Sequence, residues 1–429
     1  MRKLSPGSRP LKGTLEVPGD KSIAHRALIL GSLAEGEMRI LSLPAGGDVR
    51  STRDCLSRLG ADLSPDGEAL VLRGRGLSGL KAPAGPLDCG NSGTTMRLLM
   101  GLLAGQGGEA VLTGDPSLSR RPMRRVSEPL TLMGAAFELA EDAHAPIRIR
   151  GRRPLSPLEY RLPVPSAQVK SAILLAALQA DGETTLDDPF GTRDHTERML
   201  RLMGGPERVR LEGTRITLRP GPLRCPAELR IPGDPSSAAY WAAAASLIPG
   251  SALTVKGVLL NPTRMCLFDV LRDMGARLNI RQQAAPSWEP VGDIRSEHSR
   301  LVGVRVPAAR IPALVDEVPL LAVIACAAHG ETRIEGLAEL RVKESDRLKA
   351  TADGLNALGG EVRVADDALV IQGPRLLRGA AVETHGDHRL ALAFAVVAAA
   401  AEGTTTLSDA ECAAVSYPGF LEALEARTA

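Results

Sequence analysis

The feature that most constrains the fold of this 429-residue chain is a repeated unit of sequence. A polar start, a run of small and apolar residues, a turn glycine and a short strand-like segment recur six times. The starts are Val17, Asp88, Val164, Ile231, Ile311 and His385, and the turn glycines Gly36, Gly107, Gly182, Gly250, Gly330 and Gly403 follow 18 or 19 residues later. Such regular self-similarity predicts one supersecondary unit used six times.

Each unit also contains a second, amphipathic helix pattern followed by strand-like residues, as in Ser51–Gly60 and Cys266–Gly275. The unit is therefore predicted to be β-α-β-α-β-β. Its first helix is rich in Ala and Leu on all sides, so it must be enclosed. The predicted fold class is α/β, with two similar domains of three units each, helices buried inside and sheets outside, an inside-out α/β barrel.

Two nearly identical segments indicate where the halves begin. Val17-Pro-Gly-Asp20 matches Ile231-Pro-Gly-Asp234. We predict a first domain of residues 19–230 and a second domain of residues 1–18 plus 231–429, which the N-terminal strand would join. The two crossing segments, near Pro18 and Pro232, are expected to form a hinge.

Composition excludes several classes of partner. Lys plus Arg (52) nearly equals Asp plus Glu (50), and aromatic residues make up 2% of the chain, so no nucleic-acid partner is expected. The sequence contains no run of about eighteen apolar residues, so no membrane helix is predicted. The six cysteines lie far apart, which predicts reduced thiols, and we assign no metal and no cofactor. The N-terminus lacks the apolar block of a signal peptide, so we expect a cytoplasmic protein.

Polar residues collect at the starts of the predicted buried helices, where backbone N–H groups lack intrahelical partners and the dipole favours anions. The starts carry Lys21, Ser22, Arg26, Asn91, Thr94, Arg97, Ser166, Gln168, Lys170, Asp316, Glu317, Asp387, His388 and Arg389, with clusters between units at 120–125, 192–196 and 341–347. Several cations brought together imply a polyanionic ligand. We therefore expect two small, phosphorylated, acidic substrates in a cleft between the halves, with Asp316 and Glu344 as candidate proton-transfer groups.

The motifs as a set resemble the 5-enolpyruvylshikimate-3-phosphate (EPSP) synthase family across essentially the whole chain. They are Pro18-Gly-Asp-Lys21-Ser-Ile-Ala-His-Arg26, Gly90-Asn-Ser-Gly-Thr-Thr-Met-Arg97, Ser166-Ala-Gln-Val-Lys170, Arg341-Val-Lys-Glu-Ser-Asp-Arg347 and Gly386-Asp-His-Arg389. Gln168-Val-Lys-Ser-Ala172 and Arg193-Asp-His-Thr196 resemble the divergent bacterial branch called class II. The resemblance implies a fold of two three-unit domains that close over substrate.

The resemblance also implies the reaction and its residues. The 5-hydroxyl of shikimate 3-phosphate attacks C2 of phosphoenolpyruvate, C3 is protonated, and the adduct then loses phosphate and a proton. The implied shikimate 3-phosphate contacts are Lys21, Ser22, Arg26, Ser166, Ala167, Gln168, Arg193, Asp316 and Lys343. The implied phosphoenolpyruvate contacts are Lys21, Gly93, Thr94, Arg121, Gln168, Arg347 and Arg389. The implied catalytic groups are Asp316, Glu344, Lys21 and His388, without a fixed assignment of each proton transfer.

Some positions depart from the better-known branch of the family: Ala167 replaces a serine, Val415 a lysine and Glu339 an asparagine. The inhibitor glyphosate occupies the phosphoenolpyruvate site in this family, and Gly93 leaves room there, so we expect competitive inhibition. We also expect a monomer.

Two alternatives to this activity stay open. The sister UDP-N-acetylglucosamine enolpyruvyl transferase has Lys-Asn where this chain has Lys21-Ser22, and a cysteine where it has the segment 119–125. A non-catalytic anion-binding relative would be expected to lack Lys21, Asp316 or Glu344, and all three are present.

Overall fold

The computed structural model describes residues 1–141, 143–284 and 288–429, and it divides into two compact units. One unit is the continuous segment Gly19–Ile231. The other combines Met1–Pro18 with Pro232–Ala429. We refer to them as the inserted unit and the discontinuous unit.

The helices in chain order begin and end as follows. They are α1 (Lys21–Leu33), α2 (Gly47–Arg58), α3 (Gly93–Ala104), α4 (Pro116–Ser119), α5 (Arg124–Leu132), α6 (Ala167–Ala177), α7 (His195–Gly204), α8 (Pro235–Leu247), α9 (Cys266–Asp273), α10 (Ile311–Leu314), α11 (Val318–Cys326), α12 (Arg347–Ala357), α13 (His388–Ala400) and α14 (Phe420–Thr428). The predicted second helices of the units are present, and α2 begins four residues before the predicted Ser51.

The strands are short and alternate with these helices. They are β1 (Arg2–Leu4), β2 (Lys12–Glu16), β3 (Glu35–Leu41), β4 (Asp62–Asp66), β5 (Ala69–Arg75), β6 (Leu87–Asp88), β7 (Gly108–Thr113), β8 (Ala136–Ala140), β9 (His144–Gly151), β10 (Glu159–Arg161), β11 (Thr184–Asp187), β12 (Val209–Glu212), β13 (Arg215–Leu218), β14 (Glu228–Arg230), β15 (Ala252–Leu259), β16 (Arg277–Gln282), β17 (Val291–Glu297), β18 (Arg305–Val306), β19 (Gly330–Ile334), β20 (Val362–Ala365), β21 (Ala368–Gly373), β22 (Ala381–Val382) and β23 (Thr405–Leu407).

Within the described residues the strands form one sheet per repeat. The inserted unit has the orders β14-β3-β5-β4, β6-β7-β9-β8 and β10-β11-β13-β12, and the discontinuous unit has β16-β17-β15-β2, β18-β19-β21-β20 and β1-β23-β22. Each four-stranded sheet joins one parallel pair to two antiparallel pairs, as β14 with β3, β3 with β5 and β5 with β4. The sixth sheet has three strands because the chain continues from β23 into α14, and β1 pairs with β23 in place of a hairpin.

The first helix of each repeat is buried on nearly every side. In α8 every residue from Pro235 to Ser246 is buried, and α13 is buried from His388 to Ala399. A helix that is apolar all round gains free energy only when it is enclosed. Close approach is possible because of small residues: a Cβ on Gly101 of α3 would lie 2.2 Å from the carbonyl oxygen of Ala172 in α6.

Two strands pair outside the repeat that they precede in the chain. β2 precedes α1 but pairs in parallel with β15 of the discontinuous unit. β14 precedes α8 but pairs in parallel with β3 of the inserted unit. The chain therefore passes from one unit to the other twice, at Pro18–Gly19 and at Ile231–Pro232.

The structure bears on the predictions about the cysteines and about membrane helices. All six cysteines are free thiols; Cys55, Cys89 and Cys326 are buried, and the other three are half-buried. Among the helices described in the structure, none is both long enough and apolar enough to cross a membrane.

Candidate active site

The start of α1 holds Lys21 against an acidic residue that the sequence analysis did not single out. Asp20 caps the helix by accepting a hydrogen bond from the Ile23 N–H at 2.8 Å. Lys21 Nζ lies 2.9 Å from Asp48 Oδ2, and about one-sixth of each side chain is exposed. Asp48 lies in the first turn of α2, where an acidic residue is stabilised by the helix dipole. That position was the available sequence signal, but its pairing with Lys21 depends on how α1 and α2 pack.

Arg26, one turn further along α1, is buried and held by neutral oxygen atoms. Its Nε donates to Thr196 Oγ1, its Nη1 to the Ser22 carbonyl and its Nη2 to Ser171 Oγ, each at 2.7 Å. Bonds to hydroxyl and carbonyl oxygens orient a guanidinium without cancelling its charge. Ser22 thus enters this cluster through its backbone.

Gln168 links the starts of α3 and α6. Its Oε1 accepts from Arg97 Nη1 at 2.6 Å, and its Nε2 donates to Thr94 Oγ1 at 2.8 Å. Ser166 caps α6 by accepting from the Val169 N–H at 3.3 Å, and Ala167 is the first helical residue. Residues far apart in sequence are therefore brought together as expected for one binding surface of the inserted unit.

Gly93 lies where two guanidinium groups approach α3. A Cβ at this position would be 2.8 Å from Arg97 Nη1 and 3.3 Å from Arg121 Nη1. Arg121 is buried, and its Nη2 donates to Asn91 Oδ1 at 2.8 Å. Two cationic forks beside the first turn of a helix favour an anion at this point.

Lys170 is not placed with these cations. Its position at a polar helix start predicted a place among them, but it is buried below the surface of the inserted unit. Its Nζ lies 3.0 Å from Asp188 Oδ2 and 2.7 Å from Glu197 Oε1. Arg193, by contrast, is half-buried on the segment just before α7.

In the discontinuous unit, three carboxylates lie around the Arg347 guanidinium. Its Nε donates to Asp387 Oδ2 at 2.8 Å, its Nη2 bonds to Glu344, and its Nη1 lies 3.8 Å from Asp316 Oδ1. Burial alone would lower the pKa of Arg347, but these carboxylates raise it above its ordinary value. The guanidinium is therefore permanently charged and firmly oriented.

Asp387 is the fully buried anchor of this group. It caps α13, accepting the Arg389 N–H at 2.9 Å, and also accepts from Ser345 Oγ at 3.0 Å. Burial alone would raise the pKa of Asp387, yet the charge of Arg347 leads the effects that bring it below the ordinary 3.8. Asp387 thus orients the Arg347 guanidinium and fixes the backbone at Arg389.

Asp316 lies between the two arginines. Arg389 Nη2 is 3.8 Å from Asp316 Oδ2, and Arg389 Nη1 is 3.5 Å from Glu317 Oε1. Asp316 is about one-quarter exposed, whereas both arginines are buried. The charge of Asp316 is thus balanced from two sides while the carboxylate stays accessible.

Three further residues named in the sequence analysis lie in the same unit. Lys343 is half-buried, 3.8 Å from Glu339 Oε1, and burial lowers its pKa below 10.5. His388 is buried as the first residue of α13. Val415 is half-buried at the end of a 3-10 turn, Ala410–Val415.

Arg264 was also missed by the sequence analysis. It donates to Asp234 Oδ1 at 2.9 Å and to Ser236 Oγ at 3.0 Å, and Ser236 in turn bonds to Glu317. Asp234 caps α8, which agrees with the capping role that the sequence indicated. A single arginine outside any repeated motif carries no sequence signal for this contact.

The fold of this chain has a counterpart among solved enolpyruvyl transferases. The chain is similar in structure to the enolpyruvyl transferase NikO from Streptomyces tendae, with a TM-score of 0.78 and 19% identity over 98% of this chain and 96% of that one. This likeness confirms the predicted two-domain α/β fold.

Closer relatives identify the family. An EPSP synthase from Acinetobacter baumannii has a TM-score of 0.87 and 39% identity, covering 99% of this chain and 97% of that one. The 3-phosphoshikimate 1-carboxyvinyltransferases of Desulforudis audaxviator and Salinibacter ruber are 50% and 49% identical over 98% and 96% of both chains. The family model for EPSP synthase (3-phosphoshikimate 1-carboxyvinyltransferase) matches residues 6–424. The chain belongs to the EPSP synthase family.

This membership confirms the predicted family and the predicted transferase activity in the shikimate pathway. It favours that activity over the UDP-N-acetylglucosamine alternative. The family acts on shikimate 3-phosphate and phosphoenolpyruvate.

Proposed function

We propose that this chain uses Asp316, set between Arg347 and Arg389, as the base that activates the 5-hydroxyl of shikimate 3-phosphate for attack on phosphoenolpyruvate. The observation that carries the proposal is the 3.8 Å distance from Asp316 to each arginine. A carboxylate beside two fixed cations can take a proton while the anionic substrate remains bound to those cations.

Shikimate 3-phosphate is assigned to residues that offer oriented donors. Arg26 and Arg193 supply charge, Gln168 and Ser22 supply neutral contacts, and Asp316 faces the reacting hydroxyl. The full proposed set is Lys21, Ser22, Arg26, Ser166, Ala167, Gln168, Arg193, Asp316 and Lys343. A phosphate and a carboxylate on one ring suit donors spread over several helix starts.

Phosphoenolpyruvate is assigned to the arginine forks. The proposed set is Lys21, Gly93, Thr94, Arg121, Gln168, Arg347 and Arg389. The approach of Arg97 and Arg121 to Gly93 supports this assignment, because a small dianion needs bidentate donors at close range.

The proposed chemistry has two balanced stages. In the addition stage, Asp316 takes the hydroxyl proton and the oxygen bonds to C2. Lys21 or Glu344 delivers a proton to C3, which becomes a methyl group. In elimination, the C2–O bond to phosphate breaks as Glu344 or Lys21 removes a C3 proton, and His388 assists the leaving phosphate. The contact of Lys21 Nζ with Asp48 Oδ2 at 2.9 Å orients the lysine side chain for this proposed role.

The experiment is phosphate release from purified protein given shikimate 3-phosphate and phosphoenolpyruvate together. We expect release with both substrates only, and a loss in kcat of about 10²–10⁴-fold in Asp316→Asn. Asp353→Asn, an exposed aspartate of α12 paired with Lys349, is the matched control and should keep wild-type kcat. Well-folded wild-type protein that releases no phosphate would favour a non-catalytic anion-binding relative.

We further propose that glyphosate competes with phosphoenolpyruvate at Gly93. A methyl group there would lie 2.8 Å from Arg97 Nη1 and force that fork to move. Gly93→Ala should therefore raise the glyphosate inhibition constant by more than it raises the KM for phosphoenolpyruvate. Absence of inhibition in the wild type, with no change in Gly93→Ala, would rule this out.

We also propose that the protein is a monomer and that it acts in the cytoplasm. Sedimentation equilibrium of the purified chain tests the first point, because a single species near 45.2 kDa is expected. Cell fractionation tests the second.

A further inference from the structure

A buried carboxylate shapes the segment between β11 and α7, residues 188–194. Asp188 Oδ2 accepts both the Thr192 N–H at 2.9 Å and the Thr192 hydroxyl at 2.8 Å. Asp188 Oδ1 accepts the Phe190 N–H at 3.2 Å. These bonds fold the segment back on the aspartate, directly before Arg193.

Lys170 of α6 fastens the same segment from inside the unit. Its ammonium donates to Asp188 Oδ2 at 3.0 Å and to the Thr192 carbonyl at 3.1 Å, and it pairs with Glu197 Oε1 at 2.7 Å. Three donors thus meet three acceptors. Lys170, Asp188 and Glu197 are each at least 96% buried, so loss of one partner would leave another buried charge uncompensated.

A second layer of contacts joins the next residue of α6 to the preceding residue of α7. Thr196 of α7 donates to Ser171 of α6 at 2.7 Å, and Arg26 of α1 donates to both hydroxyls. The pairs Lys170–Glu197 and Ser171–Thr196 therefore set the spacing of α6 and α7. Arg26 and Arg193 both depend on that spacing.

We propose that Lys170 and Asp188 are positioning residues that fix Arg193 and Arg26 for shikimate 3-phosphate, apart from the arginines assigned to phosphoenolpyruvate. The inference rests on the proposed function, which assigns both arginines to shikimate 3-phosphate. Arg121, assigned to phosphoenolpyruvate, is bonded instead to Asn91 and Ser117. Because Lys170 is neutralised by its buried partners, it acts through geometry and not as a phosphate ligand.

The test compares KM values for the two substrates in full-length Asp188→Asn. The amide keeps the shape of the carboxylate but cannot accept from both Lys170 and Thr192 at the position of Oδ2. We expect the KM for shikimate 3-phosphate to rise about tenfold or more, and the KM for phosphoenolpyruvate to change by less than about twofold. Calorimetric titration with shikimate 3-phosphate alone should show the same loss of affinity.

Asp187→Asn is the matched control, because this neighbouring aspartate at the end of β11 bonds to Arg161 and Thr214 and takes no part in the Lys170 network. It should keep the KM for shikimate 3-phosphate within about twofold of the wild type. If Asp188→Asn fails to fold, Thr192→Val decides, since it removes only the hydroxyl bond to Asp188. It should raise the same KM about two- to fivefold.

Equal increases in both KM values, or an unchanged KM for shikimate 3-phosphate in folded Asp188→Asn, would overturn the inference. The activity of the wild type separates this failure from that of the proposed function. Wild-type protein without phosphate release contradicts the proposed function, whereas active wild type with an unaltered variant contradicts only the positioning role.

Discussion

At the residue scale, two buried arginines of the candidate site donate to different kinds of oxygen atom. Arg26 donates to hydroxyl and carbonyl oxygens, whereas Arg347 donates to carboxylates. Neutral partners orient a cation and leave its charge available to a ligand, while carboxylates also compensate that charge.

Arg121→Ala should weaken phosphoenolpyruvate much more than shikimate 3-phosphate. The lost group is a buried guanidinium beside Gly93, and charged hydrogen bonds contribute about 1.5–3 kcal/mol. We expect the KM for phosphoenolpyruvate to rise roughly 10–100-fold in steady-state assays. The exposed neighbour Arg120, changed to Ala, is the control. Equal losses for both substrates would show that the assignment is wrong.

Asp387→Asn should lower the free energy of unfolding of the discontinuous unit by about 3–5 kcal/mol at pH 7, because it leaves Arg347 buried without its main partner. The pKa of Asp387 is lowered in the folded protein, so its contribution is complete above 3.8 and is lost as the pH falls through the lower folded value. The difference from wild type should therefore shrink below pH 3.8.

Urea unfolding followed by tryptophan fluorescence measures this difference, since both tryptophans, Trp241 and Trp288, belong to the discontinuous unit. Asp353→Asn should stay within about 0.5 kcal/mol of wild type at every pH, as expected for an exposed ion pair. A difference between Asp387→Asn and wild type that grows toward low pH would contradict the assigned direction of the pKa shift.

At the element scale, the first turns of the buried helices carry the residues of the candidate site. α3 and α6 contact each other through Gly101 and Ala172, and the same two helices present Thr94 and Gln168 at their first turns. The packing of α3 against α6 thus sets the distance between Thr94 and Gln168. A substitution between these helices should therefore alter substrate binding.

Gly101→Ala should destabilise the inserted unit by about 1–3 kcal/mol, because its Cβ would lie 2.2 Å from the Ala172 carbonyl oxygen. Hydrogen exchange of α3 and α6 measures the effect. Gly47→Ala at the start of α2 is the control, since a Cβ there meets nothing within 4 Å, and it should be neutral or slightly stabilising. Similar exchange in both variants would contradict the packing argument.

At the scale of the whole molecule, the discontinuous unit depends on both ends of its chain. β1 pairs with β23, β2 pairs with β15, and Leu11 and Leu15 are buried in the same core as α8. Residues 1–18 thus supply strands that a unit made of 232–429 alone would lack.

Deletion of residues 1–18 should destabilise the discontinuous unit and spare the inserted unit. The deletion uncovers the edge of β15 and removes buried leucines, whose loss costs roughly 2–5 kcal/mol each. Hydrogen exchange with mass spectrometry should show faster exchange across residues 232–429 and native protection across 19–231. Equal loss in both would show that residues 1–18 also support the inserted unit.

The sequence by itself determined the number of repeats, their internal order, the burial of their first helices, the polar starts and the family. Each repeat is recognisable locally, because periodicity and turn glycines act over fewer than twenty residues, and the family is indicated by motifs spread along the chain. The sixth repeat was predicted less completely, since β1 from the other end of the chain takes the place of its hairpin.

Only the tertiary structure decided which side chains meet. It paired Lys21 with Asp48, buried Lys170 with Asp188 and Glu197, and set Arg347 among three acids. A lysine at a helix start has the same sequence signature whether it faces solvent or the interior. Its role depends on the packing of helices distant in sequence, and so it is fixed only when the helices are assembled.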